Sequence, residues 1–228
     1  MKSKYLSIVS VLALSTLCGT SAHAVMYGGI EFPGGSISFA DSVVSYDPSF
    51  GGGNVPTDPN FMDPDEALGI PDYVSPIGSV SLGAGGRIVL EFVDNFLTGS
   101  SLDGVADGIF DLHIFEIGPD VEDTAVAISK DGVAWTEIGS VFGSTSSIDI
   151  DAFGFKVSDQ FRFVRLTDDI NEGGTTGSTV GADIDAVGAI STVINTNPGG
   201  NTVPDAGSTA AILMLSLAGL AVLKRRIG

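Results

Sequence analysis

Two aspartates that lie two positions apart, Asp183 and Asp185, have the spacing that suggests chemistry most directly in this sequence. If their segment forms a strand, both carboxylates point to the same face of the sheet. Two like charges that close repel each other unless a cation or an arginine joins them. Ca²⁺ takes about six to eight oxygen ligands, which acidic, glycine-rich loops supply. We therefore predict a candidate Ca²⁺ site here, with Asp65, Glu66 and Asp72 of an early loop as partners; a solvated pair held by backbone donors is the alternative.

A second acidic group lies around the loop from Leu97 to Gly108. Its members are Asp94, Asn95, Asp103, Asp107 and Asp111. The D-x-[DN]-x-[DN]-G spacing of an EF-hand is absent, so we expect an exposed, turn-rich loop.

Catalytic arrangements are scarce in this sequence. His113 is the only histidine left once a signal peptide is removed, and no G-x-S-x-G nucleophile elbow occurs. The single cysteine, Cys18, leaves with that signal, which excludes a cysteine-bound zinc and a disulfide. Glycoside cleavage needs a pair of carboxylates, and nothing marks two of them out. We therefore expect a protein that is not an enzyme, and keep a secreted hydrolase as the third alternative.

Two charged residues fall on apolar strand faces. Glu116 shares a face with Leu112 and Ile114, and Arg165 shares one with two phenylalanines. Burial of one charge alone is costly. We predict that the two charges pair across the sandwich, or that each reaches its rim.

The dipeptide Asp131-Gly132 lies between two apolar runs and predicts a hairpin with a tight primed turn, because this pair accepts positive φ angles. The segment from Ser129 to Trp135 is similar to the S-x-D-x-G-x-x-W box of sialidases, but one residue is missing between its Asp and Gly. We interpret this single imperfect copy as a hairpin with a packed tryptophan. Trp135 is then expected at a core or rim position and not as a sugar platform.

Short alternating runs separated by Gly, Asp, Asn and Ser dominate the chain between its two ends. About 180 residues remain there, which suits one domain. The runs predict strands over 43–46, 87–92, 112–117, 125–129, 134–138, 148–150, 161–167 and 184–190. The predicted fold class is all-β, an antiparallel β-sandwich or jelly roll, flanked by an N-terminal signal helix and a C-terminal transmembrane helix.

The charge of this middle part is strongly negative. All 28 acidic residues lie between Val25 and Asp205, against five basic residues, so its formal charge is −23. Such a surface repels nucleic acid and anionic lipid headgroups and attracts divalent cations. No nucleic-acid partner is therefore expected.

The N-terminus has the three parts of a secretory signal peptide. Lys2 and Lys4 precede an apolar run over 6–17, and an A-x-A cleavage site ends at Ala24. Residues 1–24 are therefore predicted to be removed after export.

The C-terminus combines a short motif, an apolar run and a basic end. The motif contains Val203, Pro204, Asp205 and Gly207. The apolar run over 210–223 has 14 residues, fewer than the roughly 20 of a typical span, but it can insert with the basic residues 224–226 snorkelling on the cytoplasmic side. We predict a transient anchor in the inner membrane.

In this order, the three parts resemble the VPDSG-CTERM and PEP-CTERM sorting tails of Gram-negative bacteria. Ala206 stands where the first family usually has Ser. The resemblance implies processing by an exosortase-type enzyme and delivery to the cell surface or the exopolysaccharide matrix.

A second resemblance covers about residues 39–190. The chain looks like the uncharacterised cell-surface domain often found with PEP-CTERM tails, which is similar to discoidin-like, galactose-binding-like jelly rolls. The resemblance implies surface display, contact with glycans, and a structural Ca²⁺ near the ends of the first and last strands. The segments that carry it include Phe39-Ala40-Asp41, Ala67-Leu68-Gly69-Ile70-Pro71-Asp72, Phe110-Asp111-Leu112-His113-Ile114-Phe115-Glu116, Ser129-Lys130-Asp131-Gly132 and Ala182-Asp183-Ile184-Asp185-Ala186-Val187.

These observations predict a signal peptide (1–24), a lead-in (25–35), a β-sandwich domain (36–192), a linker (193–202) and a sorting tail (203–228). The expected function is that of an exported structural protein of the surface or extracellular matrix. The alternative is a Ca²⁺-dependent carbohydrate-binding module for exopolysaccharide.

Overall fold

Two antiparallel sheets contribute to one apolar core. The computed structural model describes residues 24–117, 122–141 and 145–197. Their strands are, in chain order, β1 (Val25–Tyr27), β2 (Ile30–Phe32), β3 (Ser42–Asp47), β4 (Val80–Ser81), β5 (Arg87–Glu91), β6 (Asn95–Leu97), β7 (Leu112–Glu116), β8 (Thr124–Ser129), β9 (Thr136–Val141), β10 (Thr145–Ile148), β11 (Phe163–Asp168), β12 (Asp183–Ala189) and β13 (Thr192–Ile194).

The larger sheet has five strands in the order β3-β5-β11-β8-β9, and the smaller has four in the order β10-β7-β12-β4. Two short pairs, β1-β2 and β13-β6, lie beside them. All pairings between these strands are antiparallel. Neighbours in each sheet are mostly distant in sequence, as expected when a chain passes back and forth between the layers of a sandwich. The predicted all-β antiparallel sandwich is thereby confirmed.

The period-two pattern of the strands decides which residues enter the shared core. In β11, Val164 and Leu166 are fully buried, whereas Phe163, Arg165 and Thr167 are only partly buried. Side chains alternate between the two faces of a strand, so one face of β11 packs inward and the other lies on the outside of the five-stranded sheet. Arg165 therefore belongs to the outer face.

The β1-β2 hairpin covers the outer face of the four-stranded sheet. Phe32 of this hairpin packs with Phe39 and with Phe115 of β7, and all three are buried. A Cβ on Gly188 of β12 would lie only 2.5 Å from Phe32 Cε1 and 2.9 Å from Phe39 Cε1, so glycine is required for this close approach. The segment predicted as a lead-in thus forms a packed hairpin.

The eight predicted strands correspond to β3, β5, β7, β8, β9, β10, β11 and β12. The weakest agreement is at 148–150, since β10 ends at Ile148 and Ile150 begins a 3₁₀ helix. The hairpin between β8 and β9 is present, but its predicted tight primed turn is wrong. Residues 130–135 connect the strands, only Gly132 of the dipeptide has positive φ, and Asp131 Oδ1 accepts bonds from the N–H groups of residues 133 and 134.

Four 3₁₀ helices, Gly35–Ser38, Pro59–Phe61, Pro64–Ala67 and Ile150–Phe153, are the helical elements within the described ranges. None of them has the length or apolarity to span a membrane. The predicted signal helix and the apolar segment over 210–223 lie outside the described residues.

Candidate functional site

The two aspartates of the predicted Ca²⁺ site have different partners in the structure. Asp183 is half-buried in β12 and accepts a hydrogen bond from Ser81 Oγ of β4. Burial raises the pKa of Asp183 above its ordinary value. The adjacent Tyr46 donates to the Ser81 carbonyl at 2.6 Å, and burial together with the Asp183 carboxylate raises its pKa to about 12.

Asp185 lies at a bulge in β12, where the pairing with β7 skips from Ile184 to Ala186. The bulge interrupts the alternation on which the prediction of a shared face depended. Asp185 is buried, and its Oδ1 accepts a bond from the backbone N–H of Asp72 at 3.1 Å. Burial, with smaller contributions from the carboxylates of Asp72 and Glu66, raises the pKa of Asp185 to about 6.

The structure therefore brings Asp72 and Glu66 towards Asp185, while Asp183 has other partners. Asp65 is exposed in the 3₁₀ helix Pro64–Ala67. In the described part of the chain, no three carboxylates of the predicted set offer oxygens within 4.8 Å of one another. The hard oxygen donors around Asp185 suit Ca²⁺ in kind, and a Ca²⁺ ion at this position stays a prediction.

One group of three carboxylates within the described ranges does meet that distance, and it consists of Asp107, Asp149 and Asp151. Asp151 Oδ2 accepts bonds from Ser100 Oγ at 2.8 Å and from the Ser101 N–H at 2.9 Å. These bonds fasten the acidic loop after β6 to the 3₁₀ helix that follows β10. The sequence interpretation missed this group because Asp107 lies 42 positions before Asp149 in the sequence.

The predicted pair of Glu116 and Arg165 is wrong. Arg165 faces outward and its Nη2 contacts Glu137 Oε1 at 2.5 Å. Glu116 is buried at the end of β7, and its Oε1 has no hydrogen-bond partner among the described residues. Burial, followed by repulsion from the carboxylates of Glu122 and Asp183, raises the pKa of Glu116 to about 8. The prediction failed because it took the face shared by Phe163 and Arg165 as inward, whereas Val164 and Leu166 occupy the inward face of β11.

The outer face of the five-stranded sheet carries a groove of about 380 Å³. Arg165 of β11 lies opposite Val89 of β5 in the strand register, and both residues line the groove. The residues that line the groove are Val44, Ser45, Asp47, Phe50, Arg87, Val89, Gly132, Trp135 and Arg165. We call this surface the arginine groove.

Each arginine of the groove is stacked on an aromatic ring. Arg87 Cζ lies 3.5 Å from the ring centroid of Phe50, and Arg165 Cζ lies 4.6 Å from that of Trp135. Arg87 Nε also donates to Thr167 Oγ1 at 3.0 Å. Cation–π stacking and these polar contacts restrict both guanidinium groups to defined positions.

The two guanidinium groups also influence each other. Burial lowers the pKa of Arg87, and the positive charge of Arg165 lowers it further, while Glu137 and Asp47 act in the opposite direction. These arginines are two of the five basic residues in a part of the chain whose formal charge is −23. The arginine groove thus brings two of these few basic side chains together, with the carboxylates of Asp47 and Glu137 beside them.

Sequence interpretation singled out Trp135 but did not predict a groove. Trp135 was expected at a core or rim position, and it lies half-buried at the groove margin beneath Arg165. Phe50 and Arg87 were not recognised, because a long loop supplies the first and a strand 37 positions later supplies the second. The available signal in the sequence was the alternation of Arg87 and Val89 on the outward face of β5. It indicates a groove only when the neighbouring strand, β11, is known.

A comparison with known families matches the C-terminus. The VPDSG-CTERM motif matches residues 202–227, which include the predicted sorting residues Val203, Pro204, Asp205 and Gly207. The resemblance of this tail is confirmed, and it indicates an exported protein with a C-terminal sorting signal. No curated protein matches the sequence.

Solved structures similar to the chain include CpGH89CBM32-6 produced by Clostridium perfringens, with 14% identity, a TM-score of 0.33 and coverage of 67% of this chain and 92% of that one. The CBM32 of AlyQ in complex with 4,5-unsaturated mannuronic acid has 12% identity, a TM-score of 0.33 and coverage of 69% and 98%. The C-terminal domain of a chitobiase from Bacteroides fragilis has 12% identity, a TM-score of 0.36 and coverage of 71% and 97%. At these scores the likenesses carry no argument about the ligand of this chain.

Proposed function

We propose that this exported protein binds a polysaccharide of the cell surface or extracellular matrix through the arginine groove, without catalysing a reaction. The observation that carries the proposal is the groove itself, where two fixed guanidinium groups and two aromatic rings surround about 380 Å³. A concave surface with a few oriented polar groups beside aromatic side chains is the usual form of a ligand site. Its open shape on a sheet suits an extended chain of sugars.

Delivery to that location follows from the tail. We propose that an exosortase-type enzyme processes the motif at Val203 to Gly207 while residues 210–223 hold the protein in the inner membrane of a Gram-negative bacterium. Intact-mass analysis of the exported protein tests this step. Loss of everything beyond about Gly207 is expected, whereas retention of residues 224–226 would make it an ordinary tail-anchored protein.

A Ca²⁺ ion near Asp185 is a further part of the proposal, and its role is structural. The ion would connect β12 to the loop that carries Asp72 and Glu66, and would reduce the repulsion that these carboxylates impose on Asp185. Added Ca²⁺ should raise the thermal midpoint of the protein over that measured in EDTA, and Asp185→Asn should abolish this difference. An equal midpoint with and without Ca²⁺ would count against the ion.

A passive structural role is the alternative, and the formal charge of −23 favours it, because strong self-repulsion keeps an exported protein soluble. A pull-down with matrix polysaccharides separates the two functions. Trp135→Ala should abolish retention because it removes the ring beneath Arg165.

Val133→Ala is the matched control for that experiment, since Val133 lies in the same connection, is 82% exposed and does not line the groove. Retention should be unchanged in this variant. If the unaltered protein retains no polysaccharide, the passive role is correct. Turnover of oligosaccharides by the protein would contradict both functions.

A further inference from the structure

The geometry points to an acidic, carboxylate-bearing polysaccharide as the ligand of the arginine groove, held by Arg87 and Arg165. This inference rests on the proposed polysaccharide binding and specifies the class of sugar. It depends on three features of the groove: which surfaces of the aromatic rings are free, which N–H groups are used, and how the charges balance.

The aromatic rings already have partners within the protein. Arg87 covers one face of Phe50 at 3.5 Å, and Arg165 covers one face of Trp135 at 4.6 Å. A neutral sugar is commonly recognised by stacking on an open ring face, and here an arginine occupies one face of each ring. Each ring thereby orients a guanidinium group, so the groove offers N–H groups to its ligand beside the remaining aromatic surface.

Most of those N–H groups are unused. An arginine side chain has five N–H donors in a planar fork. Within the described residues, the hydrogen bonds of these two side chains are one from Arg87 Nε to Thr167 Oγ1 and one from Arg165 Nη2 to Glu137 Oε1. A ligand that accepts two parallel hydrogen bonds from each guanidinium group is the best match to the remaining donors.

The free donors of the groove belong to two cations, which favours an anion over a neutral acceptor. Arg87 and Arg165 lie on adjacent strands and repel each other, which contributes to the lowered pKa of Arg87. Two carboxylates offset these charges within the protein: Glu137 pairs with Arg165 through a side chain that is 64% exposed, and exposed Asp47 lies opposite Arg87. Because solvent screens exposed pairs, both carboxylates contribute little. A ligand carboxylate would relieve the repulsion and complete the hydrogen bonding of both groups.

The acidic remainder of the surface repels every polyanion, and most strongly the one with the highest charge density. Duplex nucleic acid carries one negative charge per about 1.7 Å of its length, and a protein part with a formal charge of −23 repels it. A polysaccharide with one carboxylate per sugar has a lower charge density and can place a carboxylate at each arginine. Binding should weaken as salt is added, because two ion pairs at a partly exposed surface are screened.

The test uses the exported protein and two forms of one polymer: polygalacturonate, and the same polymer after chemical reduction of its carboxylates to neutral alcohols. Binding is measured by calorimetry or by affinity electrophoresis in EDTA, which removes bridging by Ca²⁺. We expect polygalacturonate to bind and the carboxyl-reduced polymer to bind about tenfold or more weakly.

Two variants and one control locate the interaction. Arg87→Gln and Arg165→Gln should each lower the affinity for polygalacturonate by about tenfold or more. Lys130→Gln removes the same charge from an exposed residue that pairs with Asp159 outside the groove, and it should change the affinity less than about twofold. Circular dichroism and the thermal midpoint verify that each variant is folded. Arg165→Lys keeps the charge without the planar fork and should bind at an intermediate strength.

The outcomes separate this inference from the proposed function. Equal binding of both polymers, unaffected by the arginine variants but lost in Trp135→Ala, would overturn the acidic ligand and leave polysaccharide binding intact. Binding that is seen with added Ca²⁺ but is absent in EDTA would replace the arginines by a Ca²⁺ bridge and would overturn the inference as well. If neither this pair of polymers nor other matrix polysaccharides bind, the proposed function fails together with the inference.

Discussion

The outer faces of the two sheets differ sharply although the same alternating pattern produces both. On the four-stranded sheet, the β1-β2 hairpin covers Phe115 and His113, and the surface becomes a second apolar cluster. On the five-stranded sheet, Arg87 and Arg165 lie in an open groove with Phe50 and Trp135. The aromatic residues of the covered face contribute to stability, whereas those of the open face orient the two guanidinium groups. The role of an aromatic side chain here therefore depends on whether the hairpin covers its face of the sheet.

The largest expected effect comes from truncating a ring on each face. Phe32→Ala should lower the free energy of unfolding by about 3–5 kcal/mol, because it removes a fully buried side chain from the covered face. Phe50→Ala, on the open face, should cost about 1 kcal/mol or less, since Phe50 is 51% exposed and mainly loses its stacking with Arg87. Urea unfolding measures both. Similar losses in the two variants would contradict the distinction between the faces.

A smaller effect is expected from adding one methyl group beneath the hairpin. Gly188→Ala should destabilise the protein by about 1–3 kcal/mol, because the new Cβ would contact the rings of Phe32 and Phe39 at less than 3.0 Å. Polysaccharide binding should be unchanged in this variant, because the arginine groove lies on the other sheet. Chemical denaturation measures the loss of stability, and the pull-down checks that polysaccharide binding is unchanged.

The buried carboxyl group of Glu116, on the four-stranded sheet, predicts that the stability of the protein depends on pH. The pKa of Glu116 is raised from 4.5 to about 8, so the folded protein holds a proton that the unfolded chain releases within this range. The contribution of Glu116 to the free energy of unfolding is therefore fully present below about pH 4.5 and is lost as the pH rises through about 8. The free energy of unfolding should fall between about pH 6.5 and 8, and Glu116→Gln should flatten this slope.

That pH window separates Glu116 from the other buried carboxylates with raised pKa values. Asp111, Asp168 and Asp185 have pKa values near 6, so most of their effect occurs at lower pH. Asp185→Asn serves as the control and should leave the slope above about pH 6.5 nearly unchanged. A wild-type slope that persists in Glu116→Gln would show that a different group is responsible.

The mildest test of the covered face observes His113 and requires no substitution in the chain. His113 lies against the ring of Phe115 at 4.4 Å and is 1% exposed, and burial lowers its pKa to about 4. After removal of residues 1–24 it is the single histidine, so its NMR titration is unambiguous. Its imidazole should remain neutral down to about pH 4. Titration near 6.5 would mean that the hairpin does not exclude water from this face.

The sequence predicted the sandwich well, because strand alternation is a local property. All eight predicted strands occur, including the runs that form β5 and β11. The functional surface depended on information that is not local. The spacing of Asp183 and Asp185 implied one face, and a bulge in β12 separated their partners. Likewise, Arg165 was assigned to an inward face, and only its register with β5 reveals Arg87 as its neighbour.

The tail was predictable from the sequence and the groove was not, for a physical reason. A sorting signal is read as a linear segment, so residues 202–227 carry it in the sequence itself. The groove takes Phe50 from a loop, Arg87 and Arg165 from two strands, and Trp135 from a hairpin connection. No short window contains these four residues, and their proximity arises from the strand order β3-β5-β11-β8-β9.

The most direct test of the central claim is an NMR titration of the exported protein with oligogalacturonate. The chain has one tryptophan, so the indole N–H of Trp135 gives a single resolved signal at the margin of the groove. If the open face of the five-stranded sheet binds an acidic polysaccharide, this signal shifts progressively and saturates, while the ring signals of His113 on the covered face stay in place. A stationary indole signal together with shifts at His113 would contradict the assignment of function to the arginine groove.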